Sequence, residues 1–135
     1  MKSAILISSE TPLISNLNMI ENIALIKEVH ENMSLFQAQA LAKEYLDKMS
    51  LSTISQKRSD SCKNIEIFYV MAIRAMMTQA KSVIIKLPTT LLEDLQDMPK
   101  IIENLLKIKE EKEIYIFDFF ANKIHYKESQ CSMIK

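Results

Sequence analysis

Few side chains in this sequence have both the type and the spacing to do chemistry. His30 and His125 are the only imidazoles and Cys62 and Cys131 the only thiols. Neither histidine has a second His or Cys at metal-ligand spacing, so the sequence predicts structural or surface roles for both, with no metal and no cofactor. Cys62 adjoins Lys63 but has no histidine beside it, and an activated thiol is the minority reading. Glu110, Glu111 and Glu113 alternate with Lys107, Lys109 and Lys112, the charge pattern of a solvated helix end rather than of an acid and base pair. Met71, Met76 and Met77 read first as fillers of irregular core gaps and second as an adaptable protein-binding face.

Composition narrows the classes further. Among 135 residues there is no glycine, where average usage near ~7% would give about nine. Such a chain has no inexpensive residue for positive φ or for bringing backbone against a phosphate, which excludes glycine-rich phosphate loops and dinucleotide fingerprints. Lys and Arg balance Asp and Glu at 17 each, so there is no electrostatic footprint for nucleic acid. No apolar run approaches the ~20 residues of a membrane span. The start lacks the length of a secretory apolar segment, and two cysteines without an export signal point to a reducing cytoplasm and free thiols.

The elements that must position any site alternate in type. Lys2 to Ser8 reads as a buried strand. Asn18 with Glu21, and Ser34 with Gln37, give the start signals of two helices, the first running to about His30 and the second to about Met49. Ser50 to Cys62 is a polar connection, and Lys63 to Gln79 has helical period with Arg74 on it. Ser82 to Leu87, ending at Pro88, is a second strand. Leu91 to Lys109 is helical in period, with Pro99 as a break and Asp97 as a new cap. Glu113 to Phe119 is a third strand, Ile124 to Tyr126 a weak fourth, and the stretch from Glu128 a mobile tail. This order predicts an α/β fold: a small three-stranded, mainly parallel sheet with an inserted helical subdomain. It forms one domain, residues 1–135, with 1–17 and 80–127 as the α/β core, 18–79 as the helical subdomain and 128–135 as the tail. One sheet face is covered by the helix after Pro88, and the other needs the helical insert or a partner.

Three stretches, taken in order, resemble the later part of an ABC transporter ATP-binding subunit. Leu13-Ile14-Ser15-Asn16-Leu17-Asn18-Met19-Ile20-Glu21-Asn22-Ile23-Ala24-Leu25 is similar to the family's segment after its Q-loop. Val70-Met71-Ala72-Ile73-Arg74-Ala75-Met76 resembles the helix that follows the signature sequence. Val83 to Pro88 falls at the Walker B strand, in ungapped register with Arg74, and Leu92 to Phe119 fits the span from D-loop to switch histidine. The resemblance covers about Lys2 to Phe120 and implies a partial P-loop NTPase fold, truncated at the N-terminus and lacking the Walker A loop.

What the resemblance places at the family's functional positions is mostly unsuited to phosphoryl transfer. The Q-loop glutamine position holds Ser9. The signature falls on Cys62-Lys63-Asn64-Ile65-Glu66, which keeps only the glutamate. The Walker B aspartate and the catalytic glutamate positions hold Lys86 and Leu87. The D-loop aspartate position is Glu93 and the switch histidine position is Phe119. A metal held by an acidic group and a positioned water are both needed for the chemistry, and these residues supply neither. The resemblance therefore implies a catalytically inactive, pseudo-ATPase protein with no cofactor. It implies a cytoplasmic partner, either a membrane permease or a companion ATP-binding subunit, and no direct membrane insertion. Leu13, Ile14, Leu17, Met19 and Ile20 correspond to the segment that receives a permease's coupling helix. The third strand, with Tyr115, Phe117 and Phe119, is expected to have an open edge, covered by a return of Ile124 to Lys127 or by a second copy in a homodimer. A free-standing interaction module and an ATP-binding partner completing a composite site in trans are the alternatives.

Overall fold

The computed structural model describes residues 3–134. Strand β1 (Ala4–Ile7) leads through a long loop into α1 (Met19–Glu31) and α2 (Leu35–Lys48). Two single 3-10 turns then precede α3 (Asn64–Met76), β2 (Ser82–Lys86), α4 (Met98–Ile108) and β3 (Glu113–Phe117). The strands form a parallel sheet in the order β1-β2-β3. This is the α/β architecture that the alternation of strands and helices predicts.

Local chemistry explains the helix starts. Asn18 accepts from the Glu21 N–H while Glu21 Oε1 accepts from the Asn18 N–H, a reciprocal capping box. Ser34 accepts from the Gln37 N–H at the start of α2. Strand β2 is central because Val83 and Ile85 are fully buried apolar β-branched residues. They share a face with Ile5 and Ile7 of β1 and Ile114 and Ile116 of β3, their register partners. That face carries the core together with α3 and with Met98, Ile101, Ile102, Leu105 and Ile108 of α4. Each such side chain contributes roughly 1.5–3 kcal/mol on burial.

Three expectations are corrected. The helical period over Leu91 to Lys109 becomes a helix only from Met98. Pro88 opens a 3-10 turn, the Asp94 carboxylate takes the Gln96 N–H, and Asp97 makes no side-chain cap. Ile124 to Tyr126 is not a fourth strand: Phe120–His125 is a 3-10 helix. Asp118 wins that segment locally, accepting from the Phe119 N–H, from Asn122 Nδ2 and from the Tyr126 hydroxyl at 2.6–2.8 Å. The return therefore does not pair with β3, which among the described residues has only β2 as a neighbour. Beyond Glu128, where sequence signals end, Gln130 Nε2 donates to the Pro99 carbonyl at 2.9 Å and half-buried Cys131 packs against the core.

The absence of glycine does not keep the backbone out of the left-handed region. Asn32, Ser50, Leu87 and Glu110 have φ of 52°, 59°, 48° and 53°. Asn32, Ser50 and Glu110 follow the ends of α1, α2 and α4, where glycine is the usual residue.

Candidate functional site at the carboxyl ends of the strands

In an open parallel sheet the carboxyl ends of the strands form the crevice where ligands bind. The register Ile7↔Ile85 and Lys86↔Phe117 brings Ser9, Glu10, Lys86, Leu87 and Phe119 to that end. Ser9 is exposed at the turn after β1. Lys86 Nζ lies 3.5 Å from Glu10 Oε1, and both side chains are largely open to solvent. Leu87 donates its N–H to the Phe117 carbonyl at 2.7 Å and turns left-handed just before Pro88. Phe119 is 64% exposed. Of these five residues only Lys86 and Glu10 are charged, and they face each other; the Asp118 carboxylate beside Phe119 is taken up by its own segment. Neither Lys86, which ends β2, nor Leu87 after it carries a side-chain oxygen.

The positions resembling the signature lie at the start of α3, where Lys63 and Asn64 are exposed and Ile65 is half-buried. Glu66 Oε1 accepts from the Lys63 N–H at 2.8 Å. An anion would be drawn to this helix start by its free donors and dipole. Here the chain's own Glu66 carboxylate takes one of those donors and places negative charge beside the rest. Glu93 is exposed in the irregular segment before α4.

The loop after β1 is held far more firmly than its polar sequence suggests. Arg74 Nη2 and Nη1, reaching from α3, donate to the Thr11 and Pro12 carbonyls at 2.6 and 3.1 Å. Burial pushes this guanidinium below its usual pKa, so those carbonyls satisfy a charge with no carboxylate beside it. Asn22, 2% exposed, accepts from the Ile14 N–H at 2.8 Å. Its amide group donates to the Ile14, Leu17 and Asn18 carbonyls. Sequence reading gives Asn22 no role beyond its place in the stretch resembling the family, and Arg74 none beyond its place on the third helix and in that resemblance. The signal available was polar residues set on otherwise apolar helix faces.

This anchoring decides which of the five expected partner-contact residues are available. Leu13, Met19 and Ile20 are buried in the core, Leu17 is half-buried, and only Ile14 is exposed. Met71, Met76 and Met77 are also core, so the methionine-rich face of α3 is internal and offers no groove. Cys62 and Cys131 are free, and burial first raises the pKa of both, the opposite of activation. His30 is exposed and His125 half-buried, and the described residues contain no cluster of three potential metal ligands.

The acidic and basic run around residue 110 is more than a solvated helix end. Lys112 Nζ donates to the Thr78 carbonyl at 2.7 Å and to the Ala80 carbonyl, joining the segments that enter β2 and β3. Burial lowers its pKa. Glu110 accepts from the Tyr45 hydroxyl at 2.7 Å. These groups rim an open depression of about 660 Å³ at the amino ends of the strands, away from Lys86 and Leu87. Lys27, Tyr45, Thr78, Glu110 and Lys112 on its rim already have partners.

No family model matches the chain, and no curated protein does. Solved structures do. One is the ATP-binding cassette MJ0796, solved as a dimer in a post-hydrolysis state bound to ADP and Pi. It matches with a TM-score of 0.67 at 20% identity, over 90% of this chain and 54% of that one. The likeness is one of fold: the three-stranded parallel sheet and its helices match part of an ABC ATPase. The chain spans about half the length of that neighbour. Among the described residues no helix is long and apolar enough to cross a membrane.

Proposed function

We propose that this protein is a catalytically inactive relative of ABC transporter ATP-binding subunits. In this reading it binds a permease or a companion ATP-binding subunit as a scaffold or regulator at the cytoplasmic face of the membrane. The observation that carries the proposal is the end of β2. Lys86 and Leu87 stand where the resemblance calls for two acidic groups, and the Glu10 carboxylate beside them is paired with Lys86 itself. A magnesium ion needs oxygen ligands in near-octahedral array, and a lysine ammonium at that position repels it. The fold likeness to a nucleotide-bound cassette supports the architecture, while the side chains argue against the chemistry. The Glu66 carboxylate at the start of α3 argues the same way, since it sets a negative charge beside the donors a phosphate would use.

Thermal unfolding with and without saturating ATP and Mg²⁺ tests the inactive half of the proposal. Ligand at 100 times its dissociation constant stabilises the folded state by about 2.7 kcal/mol, on the order of 10 °C for a domain of this size. The expected shift is none. A clear rise would instead favour a composite site completed in trans. Co-expression with a permease and an intact ATP-binding subunit encoded beside it tests the other half. The expected result is a membrane complex containing all three, and recovery of this chain only in free form defeats the scaffold reading.

A further inference from the structure

In the segment after β3 polar side chains turn inward and apolar ones outward, the reverse of the usual order. Asp118 is the hub of the inner side. Its carboxylate takes the Phe119 N–H, Asn122 Nδ2 and the Tyr126 hydroxyl, and Tyr126 packs against the core. Gln130 continues that inner row with its bond to the Pro99 carbonyl. On the outer side Phe119, Phe120 and Ile124 are 64%, 74% and 86% exposed. The backbone from which they project is closed by the Asn122 N–H on the Phe119 carbonyl and the Tyr126 N–H on the Lys123 carbonyl, each at 3.0 Å. Lys123 Nζ stands 5.6 Å from the centroid of the Phe120 ring. A turn that uses its polar groups internally and presents large apolar side chains from a fixed backbone is fitted to an apolar medium.

The chemistry of the outer side selects a lipid surface over a protein. Protein interfaces carry about one hydrogen bond per 100–200 Å², which needs donors and acceptors at fixed places. Among the exposed residues from 119 to 127 the only side-chain hydrogen-bonding groups are the Lys123 and Lys127 ammoniums, and none is an acceptor. What remains is non-directional: apolar bulk and positive charge. A bilayer asks for no more. Aromatic and aliphatic side chains enter the acyl boundary, while lysines on long stems reach lipid phosphates at headgroup level. No acidic residue lies between Asp118 and Glu128, so the charge of the stretch complements an anionic leaflet. The 3-10 helix has six residues, which at a rise of about 2.0 Å each gives a length near ~12 Å, enough to lie on a membrane and far too little to cross one.

We propose that the turn bearing Phe119, Phe120 and Ile124, with Lys123 and Lys127 beside them, adsorbs directly onto an anionic bilayer surface, its apolar side chains in the acyl boundary and its ammonium groups at lipid phosphates. The resemblance to ATP-binding subunits brings the chain to a membrane only through a partner, whereas this contact belongs to the chain itself. The proposal goes beyond the inactive-scaffold reading without depending on it.

The chain has no tryptophan, so Phe120→Trp supplies a single reporter. Vesicles of phosphatidylcholine containing one third phosphatidylserine should shift its emission to the blue, and brominated acyl chains in those vesicles should quench it. Phe36→Trp, equally open to solvent at the start of α2, should show neither effect. In vesicle co-sedimentation the unaltered chain should bind the anionic vesicles at least about tenfold more tightly than phosphatidylcholine alone, as two lysines at such a surface provide. Lys123→Gln with Lys127→Gln should remove that preference. Phe120→Ser with Ile124→Ser should weaken binding to the anionic vesicles at least about tenfold, and both pairs, being exposed, should leave the thermal midpoint in place. No binding to anionic vesicles, an equal shift from Phe36→Trp, a preference that outlasts the glutamine pair, or binding that survives the serine pair would each overturn the proposal. So would sedimentation as a dimer that the serine pair dissolves, because the turn would then belong to a second copy.

Discussion

Ser50 and Leu87 illustrate what the lack of glycine does to single residues. Left-handed backbone costs an ordinary residue roughly 1–2 kcal/mol, and glycine recovers this at an entropic penalty of about 0.5–1 kcal/mol. Ser50 is exposed beyond α2 with φ of 59°, so Ser50→Gly should stabilise the fold by about 0.5–1 kcal/mol in urea unfolding. Leu87 tolerates the same backbone because its N–H is tied to Phe117. Tyrosines show a second residue-scale effect. Burial first, then Glu110, pushes Tyr45 up to about 12, and burial followed by Asp118 raises Tyr126. Tyr69 is raised chiefly by burial and Tyr115 by Glu113. Above pH 10 the unfolded chain releases phenolic protons that the folded chain retains, so unfolding is favoured there. The raised thiols Cys62 and Cys131 begin the loss as pH approaches about 9, and stability should fall more steeply as pH rises from 10 to 12. Tyr45→Phe should shallow that fall, while costing about 1 kcal/mol at pH 7 for the lost bond to Glu110. An unchanged slope in the variant would refute the assignment.

At the scale of elements, the loop between β1 and α1 is ordered by two side chains from elsewhere. Asn22→Leu keeps the volume but leaves the Ile14 N–H and the Leu17 carbonyl without their partner, while the Ile14 and Asn18 carbonyls keep the Leu17 and Asn22 backbone N–H groups. A loss of about 2–4 kcal/mol is expected, together with faster amide exchange at Ile14. Arg74→Met should speed exchange through the 11–14 segment with a smaller loss, since its partners are carbonyls that water can reach. Exchange at Ile14 as slow as in the unaltered protein would refute the role of Asn22. The same contrast marks what the sequence makes legible. Both helix starts, at Asn18 with Glu21 and Ser34 with Gln37, are written in side chains three residues apart. The apolar run Ser82 to Lys86 is legible for the same local reason. Asp118 shows the limit: its three acceptor contacts turn Phe120–His125 into a 3-10 helix, and none is visible in the hydropathy of Ile124-His125-Tyr126. The partner-contact residues fail for a different reason. Leu13, Met19 and Ile20 read alike as interface or core; the structure buries all three, in a loop and helix start held by Arg74 from α3 and by the Lys57 and Ser55 carbonyls, contacts far apart in sequence. The uncovered sheet face was legible as a need, since three parallel strands and so few helices leave one side bare, but which residues lie on it required the register.

For the whole molecule, α3 decides whether the helical segment 18–79 and the α/β core are one folding unit or two. It touches α1 and α2 on one side and β1 and α4 on the other. Phe68, Val70, Ala72 and Ile73 on it are fully buried. The core cluster is continuous from Ile23 and Leu46 through α3 to Val83, Ile85 and Leu105. If packing through α3 couples the parts, damage on either side must lower the stability of both. Phe68→Ala should cost about 3–5 kcal/mol and Leu105→Ala, in α4, about 2–5 kcal/mol, against the 5–15 kcal/mol typical of a domain. Far-ultraviolet circular dichroism reports mainly the helices, 13, 14 and 13 residues of which lie in α1, α2 and α3. Fluorescence of a chain whose only tyrosine near the sheet is retained, through Tyr45→Phe, Tyr69→Phe and Tyr126→Phe, reports Tyr115 on β3. Both signals should move to the same lower urea midpoint in each alanine variant, as a two-state transition requires. A Leu105→Ala protein that loses its Tyr115 signal while the dichroism of α1 to α3 persists would separate the helical segment from the sheet. The coupling assigned to α3 would then be wrong.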